Sequence, residues 1–176
     1  MASSAHLWAF GYDKMERAQQ VREVFISMAG PDPCLLLMDI AVLVRHPDGS
    51  MTFDRQPFPV TGNILAGGTL GFLAGLALAS PLLTEAAVGA LESFDVSGVS
   101  KAVGINENFK RDVAAMMRPS TSALLVLDAV ADMKAALKRI QCLGGTVLKT
   151  NVDVQHAKMI QSTLRAKLAQ PDTKAT

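Results

Sequence analysis

From Gln56 to Thr84 the chain runs for 29 residues without a charged side chain. That is longer than a core helix and its loops ordinarily need, so the stretch must be hidden in an interior, an assembly or a lipid phase. Within it, Gly67, Gly71, Gly75 and Ala79 recur at intervals of four, and Leu70, Phe72, Leu73, Leu76 and Leu78 fill much of the remainder. On a helix this spacing lines four small residues along one face, where a second backbone can approach closely. Each interior glycine destabilises a water-exposed helix by about 1 kcal/mol relative to alanine, and tight packing against a neighbour is what offsets it. The sixteen residues from Ile64 to Ala79 span roughly 24 Å as a helix, short of a hydrocarbon core of roughly 30 Å. Pro81 interrupts the run, and Thr84 to Phe94 follows as an amphipathic arm in which Glu85 and Glu92, seven apart, share a face. The segment 56–94 therefore reads as a glycine-rich helical hairpin, with Gly67, Gly71, Gly75 and Ala79 as its packing stripe and Glu85 and Glu92 as its polar face.

Outside this segment the composition is ordinary. Among 176 residues there are 17 Lys plus Arg against 16 Asp plus Glu, with 49% hydrophobic and 5% aromatic residues. Near-neutral charge and few aromatics give no case for nucleic acid, and the apolar content excludes a disordered chain. Cys34 and Cys142 stand far apart with no metal-ligand spacing, which suits two buried thiols in a reducing compartment. Met1 to His6 has neither a basic nor an apolar region of the secretory kind, so a protein that is not secreted is expected.

Two halves flank the uncharged segment. In the first, His6–Tyr12 alternates as a strand, Asp13 is placed as an N-cap, and Met15, Ala18, Val21, Val24, Phe25 and Met28 form a helical stripe over Lys14 to Met28. Cys34 to Arg45 is a long apolar strand, with a turn at His46 to Gly49 and a short partner strand from Met51 to Arg55. In the second half, a helix over Asn106 to Met117 is followed by a strand over Ser122 to Leu127. A helix over Ala131 to Leu143, with Gly144 at its C′ position, leads to a strand over Thr146 to Val152 and an Asp153-capped helix. Strand, helix, strand occurs twice. That is the order of an α+β, ferredoxin-like split βαβ sandwich, with helices on one face of an antiparallel sheet and the other face either polar toward solvent or in need of cover, for which a second subunit is the expected source and the Met51 to Arg55 hairpin the alternative. The divisions are 1–55, the inserted hairpin 56–94, 95–170, and a frayed tail 171–176.

Patterns that carry chemistry are sparse. His6, His46 and His156 share no metal-site spacing, and Gly62 to Gly71 lacks the Lys-Ser or Lys-Thr of a phosphate cradle. Ser120, Thr121 and Ser122 read as a polar turn, and Asp13 as a helix cap. No catalytic, metal or cofactor-binding residue is assigned, and a non-enzymatic protein without cofactor is expected.

Three stretches together carry a resemblance: Gly67 to Leu76 with Ser80-Pro81-Leu82 beyond it, Arg118 to Leu127, and Gly144 to Thr150. They resemble the bacterial and archaeal membrane-associated family known as domain of unknown function twelve sixty-nine, over about Leu7 to Leu168. The resemblance implies a ferredoxin-like module with a glycine-rich hydrophobic hairpin and supplies no catalytic residues. Here the second arm departs from the family pattern, which is usually longer and richer in Gly and Ala. Lys and Arg number 5 before Gln56 and 12 after Phe94, so both flanks of an inserted hairpin would stay on the cytoplasmic side. The expectation is a membrane-associated homo-oligomeric assembly protein, in the cytoplasm or on the cytoplasmic face of the inner membrane. Its alternative is a soluble homo-oligomeric module that holds an apolar small molecule. No nucleic acid and no identified small-molecule ligand is expected.

Overall fold

A computed structural model of the chain describes residues 4–28, 37–53, 101, 103–128, 133–153 and 155. The elements are β1 (Ser4–Tyr12), α1 (Arg17–Met28), β2 (Leu37–Arg45), β3 (Met51–Phe53), α2 (Glu107–Met116), β4 (Thr121–Asp128), α3 (Met133–Ile140) and β5 (Thr146–Asp153), with a short 3-10 turn at Gln141–Leu143. The hairpin segment 56–94, the strand start at Cys34, and the tail 171–176 lie outside the described residues.

The strands form one α+β sheet in the order β3-β2-β4-β1-β5. Neighbours are antiparallel throughout. Because β1 and β2 both run against β4, they are parallel to each other with β4 between them. By the same logic β4 and β5 are parallel with β1 between them. Each half of the sequence thus places a strand into the gap of the other, and β1 and β4 make the centre.

Side-chain alternation splits the core into two layers. Ala5, Leu7 and Ala9 of β1 join Ala41, Leu43, Leu125 and Leu127 on one face; Phe10 and Tyr12 join Ile40, Val42, Leu124 and Val126 on the other. β4 is buried at all eight positions. The apolar character of β2 is explained in the same way, since its side chains enter both layers.

The helices do not all lie on one face. Ala18, Val21 and Phe25 of α1 and Ala136 and Ile140 of α3 pack on the Phe10 side, whereas Phe109 of α2, with Val103, Ile105 and Met117, packs on the Leu7 side. This corrects the expectation of a sheet face that waits for another subunit: α2 supplies cover from within the chain. The physical reason lies in two stripes that fit. The apolar side of α2 needs a surface, and the small residues Ala5, Ala9 and Gly11 let it approach closely. A Cβ on Gly11 would come within 2.8 Å of the Met116 sulfur.

Local signals act largely where expected. Asn106, expected as the first residue of the helix, is instead the cap of α2, its side chain accepting from the Phe109 amide at 2.7 Å. The β2–β3 turn is held by His46, Gly49 and Ser50, with the Asp48 carboxylate accepting from the Ser50 amide at 2.9 Å and hydroxyl at 2.6 Å. Gly144 follows α3 and its 3-10 turn with φ 70° and ψ −163°, a positive-φ conformation as expected but not the left-handed helical one. Asp13, by contrast, does not cap α1. The helix starts at Arg17, and Asp13 instead pairs with exposed Arg118 at 3.1 Å.

Candidate functional site

The expected site residues Gly67, Gly71, Gly75, Ala79, Glu85 and Glu92 lie outside the described residues, as do Cys34 and His156. Cys142 is exposed and free, where a buried thiol was expected. The reason is its position in the 3-10 turn after α3, where Gln141 and Cys142 face outward while Ile140 takes the buried place. His46 stands in the β2–β3 turn with Nε2 2.9 Å from the Thr52 hydroxyl.

The described residues with the most developed polar chemistry gather around Asp128, at the end of β4. Period-two alternation puts His6, Trp8, Phe10 and Tyr12 on one face of β1, and the register sets His6 opposite both Asp128 and Asn151, and Trp8 opposite both Val126 and Lys149. Asp128 is 1% exposed. Trp8 donates its indole N–H to Asp128 Oδ1 at 3.1 Å, and His6 Nδ1 stands 3.8 Å from the same oxygen. The Lys149 ammonium sits over the Trp8 ring, 5.0 Å from its centroid. Trp8 in turn stacks with Phe10 at 6.4 Å. Burial raises the Asp128 carboxyl above its usual range, while the Trp8 hydrogen bond and then His6 and Lys149 pull it back. The arrangement is a buried acid ringed by one fixed donor and two nitrogen bases, with a half-buried indole between it and solvent.

At the other end of β1, Tyr12 is 5% exposed and its hydroxyl has no hydrogen-bond partner among the described residues. Burial pushes its phenol up to about 12, against a smaller pull from Arg17. Gly145 lies against this ring. A Cβ there would meet Tyr12 Cε1 at 2.6 Å and the Gly11 carbonyl oxygen at 2.9 Å, at a φ of +110°. Among the described residues no three His, Cys, Asp or Glu side chains form a group that could hold a metal ion.

Ser120, Thr121 and Ser122, expected as a polar turn, divide their roles. Ser120 takes a positive φ of 64° in the turn. Thr121 donates to the Arg118 carbonyl at 2.6 Å, whereas Ser122, fully buried in β4, bridges to the start of α1. Its hydroxyl donates to the Lys14 carbonyl at 2.6 Å and accepts from the Ala18 amide at 3.1 Å. Sequence reasoning missed the Asp128 cluster. Its signal was a carboxylate placed just past an apolar strand, together with His6 and Trp8 two apart on another. Nothing local says that these two strands are neighbours.

A family model described as "Protein of unknown function (DUF1269)" matches residues 64–165. No curated protein and no solved structure matches the chain.

Proposed function

The chain belongs to the DUF1269 family, which matches it over more than half its length, and on that premise we propose that it is a non-enzymatic, membrane-associated, homo-oligomeric assembly protein. In this reading the sheet is a ferredoxin-like platform on the cytoplasmic face of the inner membrane. The segment 56–94 is a glycine-rich helical hairpin that packs subunit to subunit or into lipid through Gly67, Gly71, Gly75 and Ala79, with Glu85 and Glu92 on its polar face. The interleaved order β3-β2-β4-β1-β5 supports the ferredoxin-like assignment, with β3 as an added edge strand.

One observation carries the proposal. Strands before and after the uncharged run belong to a single sheet, so the run is an insertion between β3 and α2 rather than a terminal appendage. An insertion of 29 uncharged residues into a domain that already has two core layers calls for a task other than enlarging that core. The family match begins at Ile64, inside the run, which ties the segment to what the family has in common. Among the described residues no helix is long and apolar enough to cross a membrane, so the proposed contact with lipid belongs to the inserted segment and its assembly.

The test is native mass by light scattering, with and without detergent, on the wild type and on Gly71→Leu. The expected outcome is an oligomer that Gly71→Leu disrupts, recovered with the membrane fraction. An unchanged oligomer mass in the variant removes the glycine contact, and complete recovery of untagged wild type without detergent favours a soluble module for an apolar small molecule.

A further inference from the structure

The sheet face that carries α1 and α3 is not fully closed along β5. Ala136 and Ile140 tie α3 to Phe10 and Tyr12 on that face, yet Val147 is 44% exposed. Lys149 is exposed and Trp8 half-buried beside it. Lys134, Lys138 and Arg139 are exposed along α3. From Met133 to Asp153 the described residues hold four Lys and Arg against one acid, Asp153. Asp128, beside Trp8, is buried and adds no carboxylate to the outer surface.

We propose that this α3–β5 face docks on an anionic lipid surface, with Lys134, Lys138, Arg139 and Lys149 meeting headgroups and Trp8 and Val147 at the interfacial level. The inference rests on the membrane reading above and adds to it the lipid charge and the part of the folded domain that faces the bilayer. The indole N–H is held inward by buried Asp128, so what Trp8 offers outward is apolar ring beside the Lys149 ammonium, a pairing that suits the boundary between headgroups and acyl chains. Each cation near an anionic leaflet raises partitioning by about fivefold. Nucleic acid fits less well. Single strands are held by successive aromatic platforms, and here one indole is available, with the Lys149 ammonium already over its ring.

The experiment uses the full chain and vesicles of phosphatidylcholine alone or mixed in equal parts with phosphatidylglycerol. The chain has one tryptophan, so the emission of Trp8 reports directly on the proposed face. Co-sedimentation with the mixed vesicles, a blue shift of Trp8 emission, and weakening by salt are expected. The triple variant Lys134→Glu, Lys138→Glu, Arg139→Glu is expected to lower partitioning into mixed vesicles by about 100-fold or more, with unchanged circular dichroism. If that variant does not fold, the salt titration of the wild type decides, and binding insensitive to salt overturns the proposal. Equal binding to both vesicle types overturns the α3–β5 docking while the membrane reading stands; binding to neither overturns both. Tighter binding to a DNA oligonucleotide than to mixed vesicles also overturns it, in favour of nucleic acid.

Discussion

Asp128 shows how a single buried group sets a pH dependence for the whole domain. Its carboxyl is raised by desolvation, against the smaller effects of Trp8, His6 and Lys149. The folded protein therefore holds this proton more tightly than the unfolded chain does. The stability this group contributes is fully present below the ordinary carboxylate range and is lost as pH rises through the raised value. Asp128→Asn keeps an acceptor for the Trp8 indole but has no charge to desolvate. The variant is expected to gain on the wild type as pH rises from about 4 to about 7. Urea unfolding followed by Trp8 emission across that range measures the difference, and parallel stability curves for the two proteins would refute the account. Tyr12 poses the complementary case. Its hydroxyl is buried without a partner among the described residues, and a phenol pushed up to about 12 stays neutral across the same range, so it adds a desolvation penalty but no pH dependence.

At the scale of elements, what the sequence made legible follows from short-range physics. Strand β1, helix α2 and the β2–β3 hairpin are marked by alternation, by an apolar stripe at helical spacing and by turn residues, all of which act within a few positions. Features set by partners distant in sequence were not legible. The face chosen by α2 depends on Ala5, Ala9 and Gly11, roughly a hundred positions away, and the start of α1 depends on Ser122 rather than on nearby Asp13. The buried Ser122 hydroxyl serves both the Lys14 carbonyl and the Ala18 amide. β4 thereby fixes where α1 begins. Ser122→Ala leaves the buried Ala18 amide without its acceptor, while the Lys14 carbonyl keeps the Arg17 amide at 3.3 Å, and a loss of about 1–2 kcal/mol is expected in urea unfolding. A loss below about 0.5 kcal/mol, the scale of an ordinary surface substitution, would show that α1 needs no such tether. The glycine stripe and the Glu85 and Glu92 face were legible as a pattern, while their packing lies outside the described residues.

For the whole molecule, the match to the family and the closure of the sheet mark different boundaries. The matched residues 64–165 include α2, β4, α3 and β5. In the sheet, however, β4 lies between β2 and β1, and β5 has β1 as its neighbour. A fragment limited to the matched range therefore keeps two strands that do not pair with each other and lacks the one between them. It also lacks Leu7, Phe10, Val21 and Phe25, which belong to the buried layers on the two faces. Two strands that do not pair with each other leave their backbone groups to water and expose most of the surface that β4 buries, so too little apolar burial remains to offset the entropy of ordering them. Residues 4–53 are for this reason part of the same folding unit as the matched region, and the uncharged segment joins two halves that fold only together. Expressed alone, the fragment 64–165 is expected to be unfolded or aggregated. Adding a separately produced fragment 1–55 is expected to restore sheet by circular dichroism, because the interface between the halves is the core itself. A fragment 64–165 that unfolds cooperatively and shows dispersed amide resonances without its N-terminal partner would overturn this, and would require β4 and β5 to pair in an arrangement the full chain does not use.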